Sequence, residues 1–147
     1  MKRSEFMLGG TDINCLKAGQ AMEDRVRCCH PDTPWKDIAT AMVEGGCGSL
    51  PVVDNEKELL GIVSEYDLLK VLGAGKDIKD IKTEDIMTKS AITVNEDTPI
   101  NEVMKTLEDK HLIRVPVVKG SKLVGILTRR DVLLCVLKAT AEPPRWL

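Results

Sequence analysis

Apolar and polar positions alternate along this chain in two distinct periods, and the whole pattern is written twice. Trp35, Ile38, Ala39 and Met42 follow i, i+3, i+4, i+7 spacing, as do Ile100, Val103, Met104 and Leu107. Each set predicts an amphipathic helix. Thr33 and Thr98 are expected as N-caps, with Pro34 and Pro99 at the first helical position, where a missing N–H costs nothing. Gly45 and Gly46 stop the first helix. The compact apolar runs "LPVV" and "VPVV" lead through the polar turns "DNEKE" and "KGSK" into "LLGIV" and "LVGIL", which predicts two β-hairpins. Short strands are expected ahead of the helices, at Val26–Cys29 and Ala91–Val94. Closing helices are expected over Glu65–Leu72 and Arg129–Lys138.

The duplication is explicit in the residues. A shift of 65 places Met22 on Met87, Asp32-Thr33-Pro34 on Asp97-Thr98-Pro99, and Pro51-Val52-Val53 on Pro116-Val117-Val118. Dropping Glu58 in the hairpin turn changes the shift to 64. Leu59, Gly61, Ile62, Asp67 and Leu69 then meet Leu123, Gly125, Ile126, Asp131 and Leu133. The fold expected is α/β (α+β), two tandem β-α-β-β-α repeats packed with pseudo-two-fold symmetry. One copy of about 50 residues buries too little apolar surface to be comfortable alone, so the pair is read as one folding unit. The boundaries are repeat 1 at 19–72, a Gly- and Lys-rich linker at 73–83, repeat 2 at 84–138, and flanking tails at 1–18 and 139–147. In the tail, Pro143-Pro144 stops the last helix, and Trp146 is a frayed end or a docking group.

Composition narrows the function. The chain has 147 residues, 43% of them hydrophobic and 30% charged, with a formal net charge of −2. That balance gives no basic face for general nucleic-acid binding. The N-terminus lacks the apolar run of a signal peptide, and Val132 to Leu137 is too short to span a bilayer, so a cytoplasmic protein without membrane insertion is expected. Five cysteines, Cys15, Cys28, Cys29, Cys47 and Cys135, do not have disulfide-framework spacing and read as reduced thiols. Cys28-Cys29-His30 invites a metal or redox reading. No CxxC pair accompanies it, and neighbours on a strand point to opposite faces, so buried or half-buried thiols are the plain alternative. No Gly-rich phosphate loop, HExxH or GxSxG is present, which argues against an enzyme. His111 has no acid partner in sequence and reads as a surface or pocket-edge residue.

The candidate chemistry lies where each hairpin runs into its closing helix, at "GIVSEYD" (Gly61–Asp67) and "GILTRRD" (Gly125–Asp131). Ser64 with Asp67, and Thr128 with Asp131, have the spacing of a capping box, and that account needs no ligand. A helix N-terminus is also a natural phosphate site. Arg129 and Arg130 lie in a first turn, where cations are unfavourable for the helix alone, so their charge has a use elsewhere or is simply solvated.

These motifs, "DTP…PVV…GIVSEYD" and "DTP…RVPVV…GILTRRD", resemble the CBS-domain pair, or Bateman module, over about residues 19–138. The resemblance implies a non-catalytic regulatory module, attached or stand-alone, with the stand-alone form expected here. Such modules bind AMP, ADP, ATP or S-adenosylmethionine as a regulatory ligand, with no cofactor required, in two clefts between the repeats. They signal to a partner protein and commonly form homodimers. The Asp of each turn would bind ribose hydroxyls and the Ser/Thr would meet phosphate. Cleft walls in the family cross over, so Ser64 and Asp67 would be joined by Met87, Ile92, Ile113 and Arg114. Thr128, Arg129, Arg130 and Asp131 would be joined by Met22, Arg27, Gly48 and Ser49. The methionines and Ile92 would line adenine, or pack in the core. With Glu65 and Tyr66 in place of the arginines, the first cleft would grip phosphate less well than the second. Two other readings stay open: a ligand-free structural or dimerisation module whose turns are only caps, and an enzyme or metal-dependent redox protein built on Cys28, Cys29 and His30.

Overall fold

The computed structural model describes residues 9–142. The expectations for Pro143-Pro144 and Trp146 lie outside them. In chain order the elements are α1 (Ala18–Ala21), α2 (Trp35–Gly45), β1 (Ser49–Val53), β2 (Leu59–Ser64), α3 (Glu65–Gly73), α4 (Thr83–Ile86), β3 (Val94–Asn95), α5 (Ile100–Asp109), β4 (Arg114–Lys119), β5 (Lys122–Thr128) and α6 (Arg129–Thr140). Short 3-10 turns at Ile13–Cys15 and Ile78–Asp80 precede α1 and α4. The described residues form two compact units, one of Arg27–Ala91 and one joining residues up to Val26 with those from Ile92 onward.

In the Arg27–Ala91 unit, β1 and β2 pair antiparallel, and α2 and α3 cover them through Ile38, Met42, Leu50, Val52, Val63 and Leu68. Only Cys29 of the expected first strand pairs, bridging Val52 in parallel, with Cys29 N–H donating to the Pro51 carbonyl at 2.9 Å. The connector is built into this unit. Trp35 N–H donates to the Ile81 carbonyl at 3.1 Å, and the fully buried Thr83 donates its hydroxyl to the Thr33 carbonyl at 2.8 Å. Thr88 then bridges Ile62.

The other unit repeats the plan, with β3 parallel to β4 and β4 antiparallel to β5. Its first strand is Val94–Asn95 rather than Ala91–Val94. Its core gathers Ile100, Val103, Leu107, Val115, Val117, Leu127 and Cys135, together with Leu16 and Ala18 from the tail before repeat 1 and Ala21 and Met22 from its start. Glu23 bridges Ile126 here as Thr88 bridges Ile62 in the first unit.

The threonine caps are corrected by the structure. Helices α2 and α5 start one residue later than expected, with Pro34 and Pro99 in extended N-cap geometry. Thr33 and Thr98 instead close the turn before each helix, their hydroxyls accepting from His30 N and Asn95 N at 3.0 Å each. A side chain bonded back to an N–H three residues earlier has no reach left for the helix. Gly46 ends α2 in the left-handed region, φ 62°, where glycine carries no Cβ penalty. The closing helices run on to Gly73 and Thr140, past the expected Leu72 and Lys138.

Candidate functional site

Both Ser/Thr-x-x-Asp turns fold as complete capping boxes. Strand β2 stays extended to Ser64, and Ser64 then caps α3. Its Oγ accepts from Asp67 N at 3.3 Å, while Asp67 Oδ2 accepts from Ser64 N at 2.8 Å and from the Ser64 hydroxyl at 3.0 Å. At the second turn, Thr128 Oγ1 accepts from Asp131 N at 3.1 Å, and Asp131 Oδ2 accepts from Thr128 N at 3.0 Å. The two carboxylates differ in exposure: Asp67 is half-buried, Asp131 only 1% exposed. Fixed carboxylates of this kind suit vicinal hydroxyls, because an ionised carboxylate accepts on both oxygens. Both bonds that Asp67 accepts fall on Oδ2.

The residues just before each hairpin border the turn of their own repeat. Ser49 pairs with Ser64, and Glu65 N–H donates to the Gly48 carbonyl at 3.0 Å. Arg114 pairs with Thr128, and Arg129 N–H donates to the Ile113 carbonyl at 2.9 Å. Gly48, Ser49 and Arg114 are half-buried, while Ile92, Ile113, Arg129 and Arg130 are exposed. Arg129 helps line a cavity of about 490 Å³ with Met104, Leu107, Glu108, His111, Val132 and Leu133. His111 is thus an exposed residue at a pocket, with φ 52°.

Three expected residues have other surroundings. Met22 is buried in a core cluster, its Sδ against Gly125. Met87 is half-buried over Gly61, where a Cβ would stand 3.2 Å from Sδ. Arg27 donates from Nη1 to the Ala41 carbonyl at 3.2 Å, near the C-terminal end of α2, where a cation is favourable. The contact missing from the sequence reading is that of Glu65. Its Oε1 lies against Gly48, 2.6 Å from where a Cβ would stand. The signal was the Gly48-for-Ile113 difference between the repeats, which leaves that space open.

The Cys28-Cys29-His30 segment splits as strand geometry predicts: Cys28 and His30 are exposed and Cys29 is buried. Of the two adjacent thiols expected to be buried or half-buried, Cys29 is buried, and the exposure of Cys28 corrects the expectation there. Burial raises the Cys135 thiol above its ordinary range and pushes Cys29 up to about 11, against a smaller lowering by a hydrogen bond with Thr83. The Cys28 thiol is raised as well, because the surrounding protein removes part of the sulfur's hydration even though the residue as a whole is exposed. His30 Nδ1 lies 3.0 Å from the Val53 carbonyl. Among the described residues, no group of three His, Cys, Asp or Glu is placed to hold a metal ion. Also among them, no helix is long and apolar enough to cross a membrane.

A mixed α/β chain with the same hairpin and capped helix in both halves is a tandem-repeat module. The CBS domain pattern matches residues 18–74 and 83–138, and the chain belongs to the CBS domain family, with two tandem repeats in the CBS-pair fold. Protein MK0525 of Methanopyrus kandleri is 41% identical over 123 residues, 82% of this chain and 63% of its own length. Protein MJ1404 of Methanocaldococcus jannaschii is 34% identical over 116 residues, 78% of this chain and 27% of its own length. The chain therefore spans less than two thirds of either relative. Among solved structures, CBSX2 in complex with AMP superposes with a TM-score of 0.75 at 32% identity, over 83% of this chain and 96% of that one; CBSX2 is from Arabidopsis thaliana. The CBS domain pair of MJ0100, in complex with 5′-methylthioadenosine and S-adenosyl-L-methionine, gives 0.70 at 27% identity, over 81% and 94%.

Proposed function

We propose that this protein is a non-catalytic regulatory module that holds an adenosine-containing ligand at its Ser/Thr-x-x-Asp turns and signals occupancy to a partner protein. The observation that carries the reading is the pair of turns, each holding a carboxylate fixed by a capping box in a CBS-pair fold. The AMP complex of CBSX2 and the S-adenosyl-L-methionine complex of MJ0100 support the ligand class. Asp67 and Asp131 take the ribose hydroxyls. The exposed Ile92 and Ile113 offer apolar area to adenine, and Arg114, Arg129 and Arg130 offer cations to phosphate. On this reading the second turn is the tighter site for a phosphorylated nucleotide, because Arg129 and Arg130 stand where the first has Glu65 and Tyr66. Occupancy signals only if the ligand binds two arrangements of the protein with different affinity.

A thermal-shift titration with AMP, ADP, ATP and S-adenosylmethionine tests this. Ligand at about one hundred times its dissociation constant adds roughly 2.7 kcal/mol, worth about 5–11 °C for a chain of this size. No shift with any of the four leaves the second reading, a ligand-free module whose turns only cap helices. The observation behind that second reading is that each cap is closed by the turn's own side chains and backbone.

A further inference from the structure

We propose that Glu65 decides what the first turn accepts: adenosine-type molecules without a phosphate, neutral or cationic where AMP carries its dianion. The proposal rests on the adenosine reading above and gives the two turns different ligand classes. Its basis is a paired exchange between the repeats. Where repeat 2 has Ile113 and Arg129, repeat 1 has Gly48 and Glu65. With no side chain at residue 48, the Glu65 carboxylate settles against that α-carbon, while Glu65 N–H bonds the Gly48 carbonyl. Repeat 2 has an isoleucine side chain at that position, and Arg129 lies along the α5–α6 cavity instead.

The first turn therefore carries two carboxylates, Glu65 and Asp67, at one helix start. Among the described residues, no lysine or arginine forms an ion pair with either. Arg27, the arginine of this unit, is held on the Ala41 carbonyl. The Ser64 hydroxyl donates to Asp67 and is spent for a phosphate oxygen. A dianionic phosphate brought here meets like charge from two carboxylates, with Arg27 of the same unit held elsewhere and Arg114 the single arginine left to set against them, and specificity built by such repulsion is ordinary. A sulfonium or ammonium group meets the reverse.

Calorimetric titration of AMP and adenosine tests the assignment, in protein whose second turn is silenced by Asp131→Ala, or by Asp131→Asn should the alanine variant unfold. The expected result is an adenosine affinity about tenfold or more above that of AMP. Glu65→Gln then raises AMP affinity by about tenfold and leaves adenosine within about twofold. Equal affinities that Glu65→Gln does not move overturn the role of Glu65 while the adenosine reading stands. Binding to wild type that vanishes entirely with Asp131 removed overturns it as well, since the first turn is then no site. Failure of both ligands to bind wild type overturns both readings.

Discussion

Asp67 and Asp131 occupy the same position in the same motif, yet their surroundings assign them different weights. Both accept from the backbone N–H of their cap residue, so each replacement by alanine loses a capping interaction of about 0.5–2 kcal/mol. Asp131 is also almost wholly buried, and removing a buried hydrogen-bonded group leaves its donors without partners. Urea unfolding should therefore show Asp131→Ala costing more than Asp67→Ala, by about 1 kcal/mol or more. Cys29 gives a second residue-scale prediction. Its folded-state thiol is raised from the ordinary 9.0 to about 11 by burial. A raised thiol leaves both folded and unfolded forms neutral below pH 9, so its contribution is fully present there. As pH climbs from 9 towards 11 the unfolded state ionises first, and stability falls by about 2–3 kcal/mol. Unfolding midpoints measured across that range should drop in wild type and drop less in Cys29→Ala.

Each hairpin carries a register shift at the same place, between Val52 and Val53 and between Val117 and Val118. Gly61 and Gly125 lie opposite these bulges, and each has a backbone segment pressed on it. A Cβ on Gly61 would stand 2.5 Å from the Thr88 carbonyl oxygen, and one on Gly125 would collide with Met22 and stand 3.0 Å from the Glu23 carbonyl oxygen. Gly61→Ala and Gly125→Ala should each destabilise by about 1–3 kcal/mol in chemical denaturation, since a packed segment must shift to admit the methyl group. Alanine at either glycine with unchanged stability would show that these segments yield freely. The same glycines mark how far the sequence could be read. Their alignment was plain, as were the hairpins, α2, α5 and the closing helices, because apolar periodicity and turn residues are local signals. The role of the glycines was not, because the atoms pressing on them come from Met22–Glu23 and Met87–Thr88, far along the chain. The threonine caps misled for a related reason: Thr33 and Thr98 had two N–H donors in reach, and sequence does not rank them. At the site, the Asp positions were legible from motif spacing, whereas the Glu65–Gly48 contact depends on a side chain that is missing.

At the scale of the molecule, the repeat written in the sequence and the compact unit are cut differently. The Arg27–Ala91 unit includes Thr83–Thr88, and the other unit includes Leu16–Glu23, so each hairpin is closed by the segment that opens the other repeat. Among the described residues, each unit leaves large apolar side chains exposed on its own helices. Val43 is 82% exposed on α2, Tyr66 77% and Leu69 58% on α3, and Leu133 66% on α6. Leu69 and Leu133 are equivalent in the internal alignment, so the same position is left open twice. Repetition separates such a surface from the scattered apolar residues that any protein exposes. We propose that a second copy of the chain covers it, in keeping with the homodimer that the family resemblance implies. Light scattering on a sizing column should then give a dimer mass for wild type, and Leu69→Lys with Leu133→Lys should give a monomer. Both side chains are solvent-facing, so within the monomer each change should cost no more than about 0.5 kcal/mol, and far-ultraviolet circular dichroism should be unaltered. A wild type that runs as a monomer would remove the second copy as occupant, and a double variant that stays dimeric would move the interface elsewhere. Because dimerisation adds stability by mass action, the melting temperature of wild type should rise with protein concentration while that of the double variant stays flat.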